Sequence, residues 1–185
     1  MRRQLRQQRA ALSPAQKNAA AARALRHLQG LRMWQHARHI GLYLAYASET
    51  PTDTLIALAH QQHKQVYVPR ITGEGLMQMH ELRAHDPCHR NGYGIREPRI
   101  TRPIRPLRQL DLLLIPLIGF DPNGYRLGTG GGFYDRYLAR RVGHHPPCIG
   151  WAFHLQLIPA VPRAPWDQPL DGIITERGMQ WPTGS

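Results

Sequence analysis

"GYRLGTGGGFYDRYLAR", residues 124–140, decides how this chain is read. Glycine stands at 124, 128, 130, 131 and 132, and Phe133-Tyr134-Asp135-Arg136 follows at the head of a helical pattern. Glycine loses more backbone freedom on ordering than any other residue. Such a concentration before a helix therefore asks for a reason. Directly upstream, LDLLLIPLIGFD (110–121) is the most apolar run and reads as a buried strand, and DPNG (121–124) reads as a turn. Strand, turn, glycines and helix in that order put the loop beyond the carboxyl end of a strand, where α/β sheets bind ligands.

The flanking sequence supplies the rest of such a sheet. PAQKNAAAARALRHLQ (14–29) predicts a helix, with Ser13 as N-cap, Pro14 at the first position and Gly30 at the end. Arg2–Leu12 is helix-compatible and very basic. HIGLYLAYA (39–47), QVYVPRI (65–71), LMQMHEL (76–82), CIGWAF (148–153) and LDGIITE (170–176) read as strands. TDTLIALAHQQHK (52–64) and residues 132–141 read as helices, the former capped by Thr52 or Asp53. Residues 83–109 read as loop. Strands alternating with helices predict an α/β fold of three layers, a mostly parallel sheet flanked by helices in a Rossmann-like arrangement. At 185 residues the chain suits one domain over 1–185.

Composition narrows the class. With 42% hydrophobic and 19% charged residues the chain reads as globular, not disordered. No apolar run follows the arginines of MRRQLRQQRAALSP, so it does not read as a signal peptide, and a cytosolic location is expected. Two cysteines, Cys88 and Cys148, are too few for a disulfide scaffold. His85, Cys88 and His89, or His144, His145 and Cys148, lack clean zinc-ligand spacing. The formal charge is +12, and every basic residue except Lys17 and Lys64 is arginine. Such a surplus implies acidic partners: nucleic acid, nucleotides or small polyanions. An RNA- or DNA-binding module is thus one reading, although no zinc-finger, helix-turn-helix or aromatic platform pattern appears. A sugar-phosphate isomerase-like α/β protein is another, since fold does not fix function.

The glycine stretch fails two phosphate signatures. G-x-G-x-x-G from Gly128 would need glycine where Phe133 stands, and the chain has no Gly-Lys pair for a P-loop. Its ingredients still suit an anion, since successive glycines let N–H groups form a nest, and a helix start adds donors. Arg126 precedes it, and Asp135 could hold Mg²⁺ brought in by a nucleotide. A plain flexible connection between strand and helix is the competing reading.

The phrase from Gly119-Phe120-Asp121 through Gly124 to Arg126-Leu127-Gly128-Thr129-Gly130-Gly131-Gly132-Phe133-Tyr134-Asp135-Arg136 resembles the signature of the 5-formyltetrahydrofolate cyclo-ligase family, also called 5,10-methenyltetrahydrofolate synthetase. RRQLR (2–6), LYLAYASETPTDTL (42–55), GYGIREP (92–98) and WDQPLDGIITE (166–176) extend the resemblance over nearly the whole chain. It implies an ATP- and Mg²⁺-dependent closure of 5-formyltetrahydrofolate, with or without a polyglutamate tail, to 5,10-methenyltetrahydrofolate. Phosphorylation of the formyl oxygen makes it a leaving group, and ADP and phosphate are released. No membrane or nucleic-acid partner is implied, and a monomer is expected.

Residue by residue, the resemblance puts Arg2 or Arg3 (where the family usually has lysine) and Arg6 at the ATP phosphates. Arg126, Gly128, Thr129, Gly130, Gly131, Gly132, Phe133 and Tyr134 would line the nucleotide site. Thr129 to Phe133 would be shared with the folate. Phe133 replaces a usual tyrosine. Leu44 and Glu49 match the folate-contacting segment, and a carboxylate can accept the pterin's N–H groups. Asp135 and Asp167 would be metal ligands, with Trp166 standing where histidine is common. Arg126, Tyr134 and Asp135 are the implied catalytic set.

Overall fold

The structure is a computed structural model, and it describes every residue except 74, 93, 100, 101, 165, 184 and 185. One of the sequence landmarks, GYGIREP (92–98), contains one position outside the described residues. In chain order the helices are α1 (Arg2–Ala11), α2 (Pro14–Gln29), α3 (Arg32–His36), α4 (Asp53–Gln61) and α5 (Phe133–Leu138). The strands are β1 (His39–Gly41), β2 (Gln65–Gly73), β3 (Leu76–Leu82), β4 (Cys88–Arg90), β5 (Arg96–Pro98), β6 (Leu112–Ile115), β7 (Gly119–Phe120), β8 (Arg126–Leu127), β9 (Cys148–Trp151), β10 (Gly172–Thr175) and β11 (Gly178–Gln180).

Among the described residues, seven strands form the main sheet in the order β11-β10-β9-β6-β1-β2-β3. Every internal pairing from β10 to β2 is parallel, and both edge strands, β11 and β3, pair antiparallel. Alternation along β6 shows why three layers result. Leu112 and Leu114 join a core with Ala24, Leu25 and Leu28 of α2 and Leu55 and Ala59 of α4. Leu113 and Ile115 face the other way, onto Phe120 and onto Tyr137 and Leu138 of α5. A strand buried on both faces must be apolar throughout, as LLLI is. Among the described residues, no helix is long and apolar enough to cross a membrane.

Local signals set α2. The Ser13 hydroxyl accepts from Gln16 N at 3.2 Å, and Gln16 Oε1 accepts from Ser13 N at 2.8 Å, a complete capping box. Ser13→Ala is expected to cost about 1 kcal/mol, read as a lowered midpoint in urea with unchanged slope.

Several elements differ from the sequence expectation. The strand expected over 39–47 ends at Gly41. The Thr52 hydroxyl accepts from Ala45 N and donates to Tyr43 O, taking backbone bonds that a ladder would have used. The run 110–121 is cut at Pro116, which has no N–H to give, and resumes as the β7–β8 hairpin. The expected loop 83–109 contains the β4–β5 hairpin, closed where Asn91 N donates to Ile95 O at 2.9 Å and Asn91 Oδ1 accepts from Ile95 N at 3.1 Å. Helix 132–141 is shorter because Arg140 and Arg141 N–H bond three residues back, tightening the end into a turn. β11 was not anticipated. It pairs back on β10 across a turn whose Gly178 has φ 120°.

Candidate active site

The carboxyl ends of β1 and β6 lead directly into the segments singled out in the sequence. After β1 the chain runs through buried Leu42, Tyr43 and Leu44 to the turn that carries Glu49. Trp151 Nε1, at the end of β9, donates to Pro51 O at 3.1 Å and ties this segment to the sheet. After β6 come the β7–β8 hairpin and the glycine loop. Asp121 holds the hairpin: its carboxylate accepts from Asn123 N, Tyr125 N and Val161 N, and Gly124 closes the turn at φ 82°.

α1 lies across this end of the sheet. Leu5 packs with Ile118, Leu127 and Val161. Positions 2, 6 and 9 then share a face that looks at the loop. Arg2 Nε donates to Gly128 O at 2.9 Å, Arg6 Nη2 to Thr129 O at 3.5 Å, and buried Arg9 Nη1 to Leu117 O at 3.0 Å. Arg2 is therefore the member of the Arg2/Arg3 pair that reaches the loop. In a trans peptide the carbonyl and the next N–H point in opposite directions. Holding the carbonyls of 128 and 129 thus turns the N–H groups of Thr129 and Gly130 to the far side. Among the described residues, nothing accepts from them.

A Cβ added at Gly128 or Gly130 would meet nothing within 4 Å. Gly130 needs glycine for its φ of 103°, but Gly128 has no such need, and no neighbour crowds it. Its bareness leaves the backbone open to a ligand. Gly132 caps α5 at φ 64°. A nucleotide's phosphates, with many acceptor oxygens, match unpaired N–H groups beside exposed guanidinium groups.

Arg126 and Asp135 form an ion pair across the base of the loop. The Arg126 side chain is only 4% exposed, and its Nη1 also donates to Gln168 O at 2.9 Å. Burial pulls its pKa down, and the Asp135 charge pushes back. Arg126 occupies one Asp135 oxygen, leaving the other for a cation. Asp167 also acts on Arg126 electrostatically, although its Oδ2 accepts Ala164 N at 2.7 Å and so fixes a turn as well. Among the described residues, no cluster of three or more metal-ligating side chains exists. Mg²⁺ needs no such cage: it binds through one or two carboxylates, water and substrate phosphates. The residues fit a cation delivered on a nucleotide.

Glu49 is half-buried, and its Oε2 accepts Tyr46 N at 2.9 Å. Burial raises its pKa against the pull of that N–H and of Arg9. The Tyr134 hydroxyl is buried without a partner, and burial, then the charge on Glu49, push its pKa up. Arg9 Nε is likewise buried and unpartnered. Phe133 packs partly against the core below the loop. Leu44 sits in the main core at 5% exposure, its side chain packed away from solvent. Arg3 is exposed. Sequence reasoning missed Arg9 and Arg136. The 2-6-9 spacing on a helix carried the first, whereas the Gly75 contact of Arg136 lies 61 residues away, too far for any local pattern.

Known proteins resemble this chain in sequence and in fold. The model of the 5-formyltetrahydrofolate cyclo-ligase family matches residues 1–176. A 5-formyltetrahydrofolate cyclo-ligase of Haemophilus influenzae is 34% identical over 178 residues, covering 94% of this chain and 95% of the relative. The enzyme of that name from Escherichia coli is 32% identical over 174 residues, 92% of this chain and 96% of the relative. Among solved structures, the 5,10-methenyltetrahydrofolate synthetase of Mycoplasma pneumoniae superposes with a TM-score of 0.77 at 26% identity, covering 95% of this chain and 96% of that one. The Aquifex aeolicus synthetase shares the fold with a TM-score of 0.84 at 24% identity, over 100% of this chain and 92% of its own. A match over almost the full length, in sequence and in fold alike, means that this chain belongs to the 5-formyltetrahydrofolate cyclo-ligase family.

Proposed function

We propose that the chain closes 5-formyltetrahydrofolate to 5,10-methenyltetrahydrofolate, using ATP with Mg²⁺ and releasing ADP and phosphate. It would act as a monomer of one domain, 1–185, in the cytosol. The observation that carries the nucleotide half is the bare, outward glycine backbone beside Arg2 and Arg6. Family membership carries the folate half.

Closing the formyl carbon onto N10 must expel the formyl oxygen, which leaves poorly. Transfer of the γ-phosphoryl group to that oxygen turns it into phosphate, a good leaving group. N10 then bonds to the carbon as the carbon–oxygen bond breaks, and the N10 proton passes to the departing phosphate or to water. Such a transfer asks the protein for position and charge stabilisation. The N–H groups of Thr129 and Gly130 would bind phosphate oxygens, and Arg2 and Arg6 would use their remaining donors on the same charge. Asp135, with Asp167 nearby, would hold Mg²⁺, which neutralises charge on the phosphates. Arg126 keeps Asp135 aimed. Glu49 would accept the pterin's N–H groups, and the unpartnered Tyr134 hydroxyl would donate to substrate beside it.

The test is a spectrophotometric assay of purified protein with 5-formyltetrahydrofolate and Mg²⁺. The near-ultraviolet band of the methenyl product should grow only when ATP is present. A flat trace from folded protein with ATP would overturn the reading.

A further inference from the structure

A third carbonyl of the glycine loop is held from the opposite side. Arg136 Nη2 donates to Gly131 O, and Arg136 Nε donates to Gly75 O in the β2–β3 turn at 2.7 Å. Its guanidinium also lies 5.6 Å from the centroid of the Phe133 ring. One side chain thus joins two backbone segments that are remote in sequence. Both are shaped to admit it. Gly75 and Gly132 have φ of 71° and 64°, which disfavours any other residue. A Cβ at Gly132 would lie 2.7 Å from Nη1, and a Cβ at Gly75 would clash with the guanidinium, meeting Nη2 and lying 2.6 Å from Cζ. Holding Gly131 O fixes the peptide plane that carries the Gly132 N–H. The partners of the guanidinium in both segments are backbone carbonyls, which leave its charge formally positive beside the loop.

We infer that Arg136 is a positioning residue for the nucleotide. It clasps the glycine loop to the β2–β3 turn and thereby fixes the backbone donors before ATP arrives. The inference rests on the reading under Proposed function. Arginine suits the task because its fork presents two N–H directions at a fixed angle, whereas a lysine ammonium is a single point. If loss of the clasp leaves the loop competent a tenth of the time, apparent affinity falls tenfold.

The test is calorimetric titration of MgATP into wild type, Arg136→Ala, Arg136→Lys and Gly75→Ala, with steady-state kinetics beside it. Arg136→Ala should weaken MgATP about tenfold and raise the KM for ATP alike, while the KM for folate stays within about twofold. Arg136→Lys should fall between. Gly75→Ala touches neither the loop nor the proposed substrates, yet should weaken MgATP as Arg136→Ala does. The double variant should be no weaker than Arg136→Ala alone. Wild-type affinity in Arg136→Ala would overturn the clasp and leave the proposed function standing. Weak binding in Arg136→Ala with normal binding in Gly75→Ala would overturn the bridge and make Arg136 a direct contact. No binding of MgATP to wild type would overturn the proposed function itself, and any nucleotide role of Arg136 with it.

Discussion

Asp135→Asn should lower kcat by about 10²–10³-fold, the range typical of removing one charge-stabilising group from a transition state. The substitution keeps an oxygen for the Arg126 guanidinium and removes only the negative charge. If Asp135 holds Mg²⁺, the variant should also need more Mg²⁺ for half-maximal rate, while its KM for folate changes little. Alanine is the poorer probe. It would strand the Arg126 charge, whose side chain is 4% exposed, and leaving one partner of a buried pair alone costs about 3 kcal/mol. A thermal melt separates the two: Asp135→Asn, which keeps an oxygen that accepts from Arg126, should melt above Asp135→Ala, which keeps none. Unchanged kcat and Mg²⁺ dependence in Asp135→Asn would remove Asp135 from the reaction.

What could be read in the sequence follows the range of the interactions. α2 was legible to the residue because its cap, its proline and its apolar period all lie within its own span. The order of strand, turn, glycines and helix was legible for the same reason. β1 was overread because its end is decided by Thr52, which belongs to the start of the next helix. β11 was missed because three half-buried residues give no apolar signal, and β10 supplies the partner. Asp135 was legible as an acid just past the glycines, but its pairing with Arg126 was not, because strand β8 and helix α5 meet only in the fold. Arg136 shows the same limit. Arginine at 136 and glycine at 75 each look ordinary until the β2–β3 turn brings them together.

Glu49→Gln is expected to raise the KM for folate about 10–150-fold, the equivalent of roughly 1.5–3 kcal/mol for hydrogen bonds to a charged group. The amide would also present N–H donors where the pterin offers donors of its own. The KM for ATP should not move. Acidity gives a second readout. Burial raises the Glu49 pKa, so it takes up a proton at a higher pH than an ordinary glutamate. Folate affinity in wild type should therefore fall on an acid limb lying above the usual carboxylate range, and in Glu49→Gln that limb should be gone. Stability should move the other way. A carboxyl whose folded pKa exceeds its unfolded value of about 4.3 favours the folded state while protonated and loses that advantage as pH rises through the folded pKa. At pH 7 wild type thus carries a charge that the fold disfavours, and the Tyr46 N–H can still donate to an amide oxygen. Glu49→Gln should melt higher than wild type at pH 7, and the difference should shrink as pH falls through the raised folded pKa and be gone below the unfolded value of about 4.3. Gained stability with lost folate affinity is the pattern of a group held in place for binding at the expense of folding. An unchanged KM for folate, with or without the gain in melting temperature, would return Glu49 to an ordinary turn acid that caps Tyr46 N–H.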